Sequence, residues 1–101
     1  MAPMDFQSFI ESLDSKHPPK DLSPALIALW YDKHQAWERA HEIVQDESDG
    51  VCAAIHAYLH RKEGDIWNAD YWYRKAKRRS FTGTLDEEWE SLVRSECSVG
   101  Q

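Results

Sequence analysis

The middle of the chain repeats itself with a step of 29 residues, and this is what most limits the folds open to it. Leu26 falls on Ile55, Ala28 on Ala57, Lys33 on Lys62, Trp37 on Ile66, Ala40 on Ala69 and Val44 on Tyr73. A repeat of this length implies two copies of one supersecondary unit that bury their apolar faces on each other. The apolar spacing inside each copy is helical. In the first copy, Leu26, Ile27, Leu29, Trp30 and Tyr31 precede the polar break Asp32-Lys33-His34-Gln35, and Trp37, Ala40, Ile43 and Val44 follow it. The second copy carries Val51, Ala54, Ile55, Tyr58 and Leu59, then Ile66, Ala69, Trp72, Tyr73 and Ala76 beyond Gly64 and Asp65. Each unit is therefore expected to be a helical hairpin with small residues where its two helices approach.

The flanking segments extend the pattern. Phe6, Phe9, Ile10 and Leu13 fall at i, i+3, i+4 and i+7, which predicts a short helix from about residue 5 to 15, ended by His17-Pro18-Pro19. Ser23 followed by Pro24 reads as a capped helix start, and that helix runs to about His34. The acidic stretch from Asp46 to Gly50 is a loop, and the next helix covers about Val51 to Glu63. Gly64 suits the left-handed position after it, and Asp65 suits the cap of the following helix. Past the turn-forming Ser80-Phe81-Thr82-Gly83-Thr84, a last helix starts at Thr84 or Asp86 and points Leu85, Trp89, Leu92 and Val93 inward. Asp86, Glu87 and Glu88 face its N-terminal dipole. Asp32, Glu38, Glu42 and Asp46 read as a solvated face.

No segment reads as a strand. The expected fold is all-α, with five to six short helices in two degenerate hairpins flanked by N- and C-terminal capping helices. It forms a single domain over 1–101 with a repeat core over about 24–79. Trp30, Trp37, Ala40, Ile43, Ile55, Leu59, Ala69, Tyr73 and Trp89 are its expected centre.

Lys62-Glu63-Gly64-Asp65, then Ala69, Tyr73 and Ala76, resembles the second half of a tetratricopeptide repeat, with glycine and acid at the turn and small and aromatic residues at fixed steps. The longer string HAYLHRKEGDIWNADYWYRKA is also similar to a family of short tetratricopeptide-like proteins. The resemblance is close in the second unit and looser in the first. Gln35 stands at the turn glycine there, Glu47 stands at the position of Ala76, and His60 replaces the aromatic that Tyr31 supplies. The resemblance implies paired helical hairpins and a groove able to take a peptide, and it transfers no catalytic residue.

The chain has 101 residues, a formal net charge of −6 and a mean hydropathy of −0.71. No apolar run approaches the roughly 20 residues of a membrane span. The opening MAPMDFQSF carries acid and lacks the apolar stretch of a secretory signal, so a cytoplasmic location is expected. Cys52 and Cys97 form neither a disulfide framework nor a zinc pattern. Charge is blocked: residues 1–70 carry −7, 71–84 carry +5 and 85–101 carry −4. A basic segment this local, flanked by acid, disfavours general nucleic-acid binding. The chain holds no GxSxG, P-loop or dinucleotide glycine pattern.

Two constellations remain. Cys52, His56, His60 and Glu63 are spaced by 4, 4 and 3, one column on a helix. Two histidines one turn apart can hold a divalent ion such as zinc, with Glu63 as a carboxylate and His41 as a third imidazole if the hairpins bring it alongside. The second constellation is the stripe Trp67, Tyr71, Arg74, Lys75 and Arg78, aromatics one turn from cations. They support two function classes. One is a non-catalytic protein- or peptide-interaction module that needs no cofactor. It uses Tyr31, His34, His56 and His60 in a groove between the second and fourth helices, together with Trp67 and Tyr71. The alternative is a small metal-binding protein or metal-dependent enzyme built on His41, His56, His60 and Glu63. Convergence of the three imidazoles on one point separates the two.

Overall fold

The computed structural model describes residues 5–97. The chain supplies most of its own helix caps. α1 (Phe6–Ser12) begins where the Asp5 carboxylate accepts from the Ser8 backbone N–H at 2.7 Å. α2 (Pro24–Lys33) is capped by the Ser23 hydroxyl, with proline in its first turn. α3 (Trp37–Gln45) starts without a side-chain cap. α4 (Gly50–Lys62) opens at the glycine expected in the loop, because Asp49 caps the Cys52 N–H at 2.7 Å. Asp65 caps α5 (Ile66–Lys75). α6 (Leu85–Cys97) starts on a reciprocal capping box: Thr84 Oγ1 accepts from Glu87 N–H, and the Glu87 carboxylate accepts from Thr84 N–H. The fold is all-α, with six helices and no strand among the described residues. α1 stops short of residue 15, its end closing in a turn ahead of the prolines.

The 29-residue step of the sequence is also a step of the backbone. At the end of α2, Gln35 adopts φ 63°, and at the end of α4, Gly64 adopts φ 91°. Gln35 N–H donates to Asp32 C=O and Ala36 N–H to Tyr31 C=O. Gly64 N–H donates to Arg61 C=O and Asp65 N–H to His60 C=O, the same pattern displaced by 29. Both turns close their helix with one left-handed residue, which glycine takes without strain and glutamine does not. Gln35→Gly is therefore expected to raise stability by about 0.5–1 kcal/mol in urea denaturation. A loss of stability would contradict this reading of the turn.

α4 is the central helix: every residue from Cys52 to His60 is buried, and α2, α3, α5 and α6 pack around it. α6 lies across α2 and α4, where buried Trp89 donates its indole N–H to the Leu29 carbonyl at 3.0 Å and packs against Phe9 of α1. α6 packs on part of the face between α2 and α4, and a cleft remains there between Asp32 and Lys33 of α2 and Tyr58 and Lys62 of α4. Of the expected core, Trp37 and Ile43 are only partly buried. Trp37 borders a cleft of about 440 Å³ and donates Nε1–H to the Leu59 carbonyl at 2.8 Å.

Two acids are buried that the sequence pattern puts on the surface. Asp32, 1% exposed, accepts from the Tyr58 hydroxyl at 2.6 Å and from Lys62 Nζ at 3.0 Å, joining α2 to α4. Glu88, 3% exposed, accepts from Arg61 Nη1 at 2.8 Å and from the Tyr73 hydroxyl at 2.5 Å, joining α6 to α4 and α5. Arg61 also donates to the Gly83 carbonyl. Each carboxylate is paired with one cation and one phenol, which is what makes its burial tolerable.

Candidate functional site

Helical spacing sets His56 and His60 one turn apart on the side of α4 that faces α3 and α5. On α3, His41 follows Trp37 by one turn and stacks on its ring at 4.9 Å, nearly parallel at 8°. On the other side, His56 stacks on Trp72 of α5 at 3.9 Å and 12°. Between these two indoles the three imidazoles meet, with ring centroids 4.5 Å apart for His41 and His56, 4.9 Å for His56 and His60, and 5.3 Å for His41 and His60. One ring nitrogen from each lies within 4.8 Å of the other two. Three points so spaced sit within about 2.8 Å of a common centre, close to the 2.0–2.1 Å of a zinc–imidazole bond.

Glu63 does not join this trio but orients one member of it. Its carboxylate accepts a hydrogen bond from His60 Nδ1 at 2.7 Å, which holds the orientation of the ring. A carboxylate behind an imidazole in this way is the usual outer support of a metal-ligating histidine. Asp65 lies near His60 and Glu63 but is engaged by Asn68, through the backbone N–H at 3.2 Å and the side-chain amide at 3.1 Å. Cys52, in the same column, is not recruited either. Burial, with the neighbouring Asp49, pushes its thiol up to about 12.

His56 is the most constrained of the three. It is 4% exposed, and its Nδ1 is buried without a hydrogen-bond partner. An unpaired buried nitrogen costs about 1–3 kcal/mol, and a bound ligand at the cluster would offset that. Burial, reinforced by His41 and His60, pushes the His56 imidazole down to about 4. Burial and His60 also lower His41, against the opposing influence of Glu63 and Glu42. Both rings are therefore held neutral at neutral pH, the form that binds metal.

No protein-family model, curated protein or solved structure matches this chain. The remaining candidate residues do not gather in one place. His34 stacks on Trp30 at 3.9 Å and Tyr31 meets the edge of the same ring, while Trp67 and Tyr71 are exposed on the outside of α5. His56 and His60, expected in a groove shared with α2, instead face His41, Trp37 and Trp72. Sequence reasoning misses this aromatic enclosure, although Trp37 one turn before His41 is a visible signal for half of it.

The depressed basicity of His56 predicts how acid acts on the metal-free protein. Its folded value lies below the roughly 6.5 of a free imidazole, so the unfolded chain binds more protons between the two. The associated stability is fully present above about pH 6.5 and is lost as pH falls towards 4. With chelator present, urea denaturation is expected to show a loss of about 2 kcal/mol between pH 7 and pH 5 from His56, and the total loss should shrink in His56→Phe to what His41 contributes. Equal stability at the two pH values would contradict it.

Proposed function

We propose that this domain binds one transition-metal ion, zinc best matching the donor set, through His41, His56 and His60. The observation that carries the reading is the convergence of three ring nitrogens, enclosed between Trp37 and Trp72, with a buried His56 nitrogen left unpaired. Imidazole nitrogen suits zinc, cobalt, nickel and copper, whereas calcium and magnesium require oxygen ligands. Glu63 would hold the His60 ring in register. Because His41 belongs to the α2–α3 pair and His56 and His60 to the α4–α5 pair, the ion would fasten the two hairpins together. The repeated turn geometry supports a tetratricopeptide-like scaffold for the site.

Cobalt(II) titration tests this reading. Visible ligand-field absorption characteristic of nitrogen coordination is expected to saturate at one equivalent, and to be lost in His41→Ala and His56→Ala at unchanged helical content. Spectra that stay at the aqueous-cobalt baseline, or that persist in both variants, would overturn it.

A further inference from the structure

The outer face of α5 combines exposed aromatic side chains with cations. Ala69 and Tyr73 are buried against α4, and the opposite side of the helix presents Trp67, Tyr71 and Arg74 at successive turns. Trp67 is 79% exposed, the largest hydrophobic side chain left in solvent, and Tyr71 is 41% exposed. Tyr71 is held edge-on to Trp72 at 5.3 Å, with Lys75 Nζ 5.9 Å from the centre of its ring. Beyond them the chain runs through Lys77, Arg78 and Arg79, so five cations fall within residues 74–79 of a protein whose net charge is −6. Among the described residues none of these five is in an ion pair with a carboxylate. The acids on this helix and at its start are already engaged, Asp70 by Ser80 and Asp65 by Asn68.

We propose that this face docks an acidic polypeptide segment, with an apolar side chain of the partner seated on Trp67 and Tyr71 and its carboxylates met by Arg74 and Lys75. An exposed Trp beside Arg is the composition of an interface anchor. Charge complementarity chooses the partner. The cationic stretch is short and bounded by Glu63 and Asp65 on one side and the acids of α6 on the other. It suits a few carboxylates, whereas an extended polyanion would run on into repelling charge. α6 packs on α1, α2 and α4 and leaves this side of α5 open. None of the residues of this face is one of the three histidines.

Fluorescence anisotropy with a labelled synthetic peptide of alternating Glu and Leu tests it. The control probes are an alternating Glu-Ser peptide, a single-stranded oligonucleotide and phosphatidylserine vesicles. Saturable binding of the Glu-Leu peptide is expected, weakened roughly tenfold or more by Trp67→Ala and likewise by Arg74→Glu with Lys75→Glu. Arg94→Ala, which removes an exposed cation of α6, should bind the peptide as the native protein does. All substituted residues of the docking face are exposed, so retained helical circular dichroism confirms folding. Unaltered affinity in Trp67→Ala, equal binding of the Glu-Ser peptide, or tighter binding of the oligonucleotide or vesicles would each overturn the proposal.

Discussion

Glu88→Ala is expected to destabilise the domain by about 3–5 kcal/mol, several times the loss from breaking an exposed ion pair. Glu88 looks from sequence like one more acid in the first turn of α6, where its removal would cost only a few tenths of a kcal/mol to about 1 kcal/mol. The structure places it at the junction of three helices, 3% exposed, bonded to Arg61 of α4 and Tyr73 of α5. Truncation leaves a mostly buried guanidinium without its counter-charge and a buried phenol without its acceptor, in addition to a cavity. A domain of this size has about 5–15 kcal/mol in total, so the variant should be partly unfolded on mild warming. Glu88→Gln keeps one acceptor and should recover part of the loss. The exposed pair Arg94 and Glu90 provides the contrast, since breaking it should cost under about 1 kcal/mol. Urea midpoints decide the matter, and a Glu88→Ala loss below about 1 kcal/mol would contradict the role of a buried network.

Zinc should produce an effect of similar size in the opposite direction. An ion that binds the folded chain alone stabilises it by about 4 kcal/mol at a free concentration a thousand times its Kd. For a domain near 100 residues, each kcal/mol moves Tm by about 4–8 °C, so a rise of roughly 15–30 °C is expected on saturation. The rise should reverse with chelator. It should be absent in His41→Ala, because the ion then no longer bridges α3 and α4. Glu63→Gln leaves all three ligands but removes the carboxylate behind His60, and should weaken zinc binding about 10–100-fold. An equal zinc response in native protein and His41→Ala would mean that the ion sits elsewhere.

The helices and their caps are legible in the sequence because the determinants are local. Ser23 with Pro24, Asp65 after Gly64, and the spacing of Phe6, Phe9 and Ile10 each state a boundary within a few residues. The 29-residue offset goes further and anticipates equivalent turns at Gln35 and Gly64, although nothing in the sequence tells that a glutamine accepts the left-handed conformation. The position of α6 is not legible. Its apolar stripe fits a cap at the end of the repeat as well as it fits the α2–α4 face, and only the indole of Trp89 finding the Leu29 carbonyl distinguishes the two. Asp32 and Glu88 are misplaced by sequence reasoning for a related reason. Their partners lie 26 to 30 residues away for Asp32 and 15 to 27 for Glu88, beyond the reach of helical periodicity. The histidine site is half legible: spacing along α4 fixes His56 and His60, while the approach of His41 depends on the α3–α4 packing.

Metal stoichiometry tests the central claim most directly. Purified protein, loaded with zinc and dialysed against metal-free buffer, is to be analysed for elemental zinc alongside His56→Ala with its helical signal confirmed. Binding at the three histidines predicts close to one zinc per native chain and close to none in the variant. Negligible zinc in the native protein, or the same content in both, would contradict it.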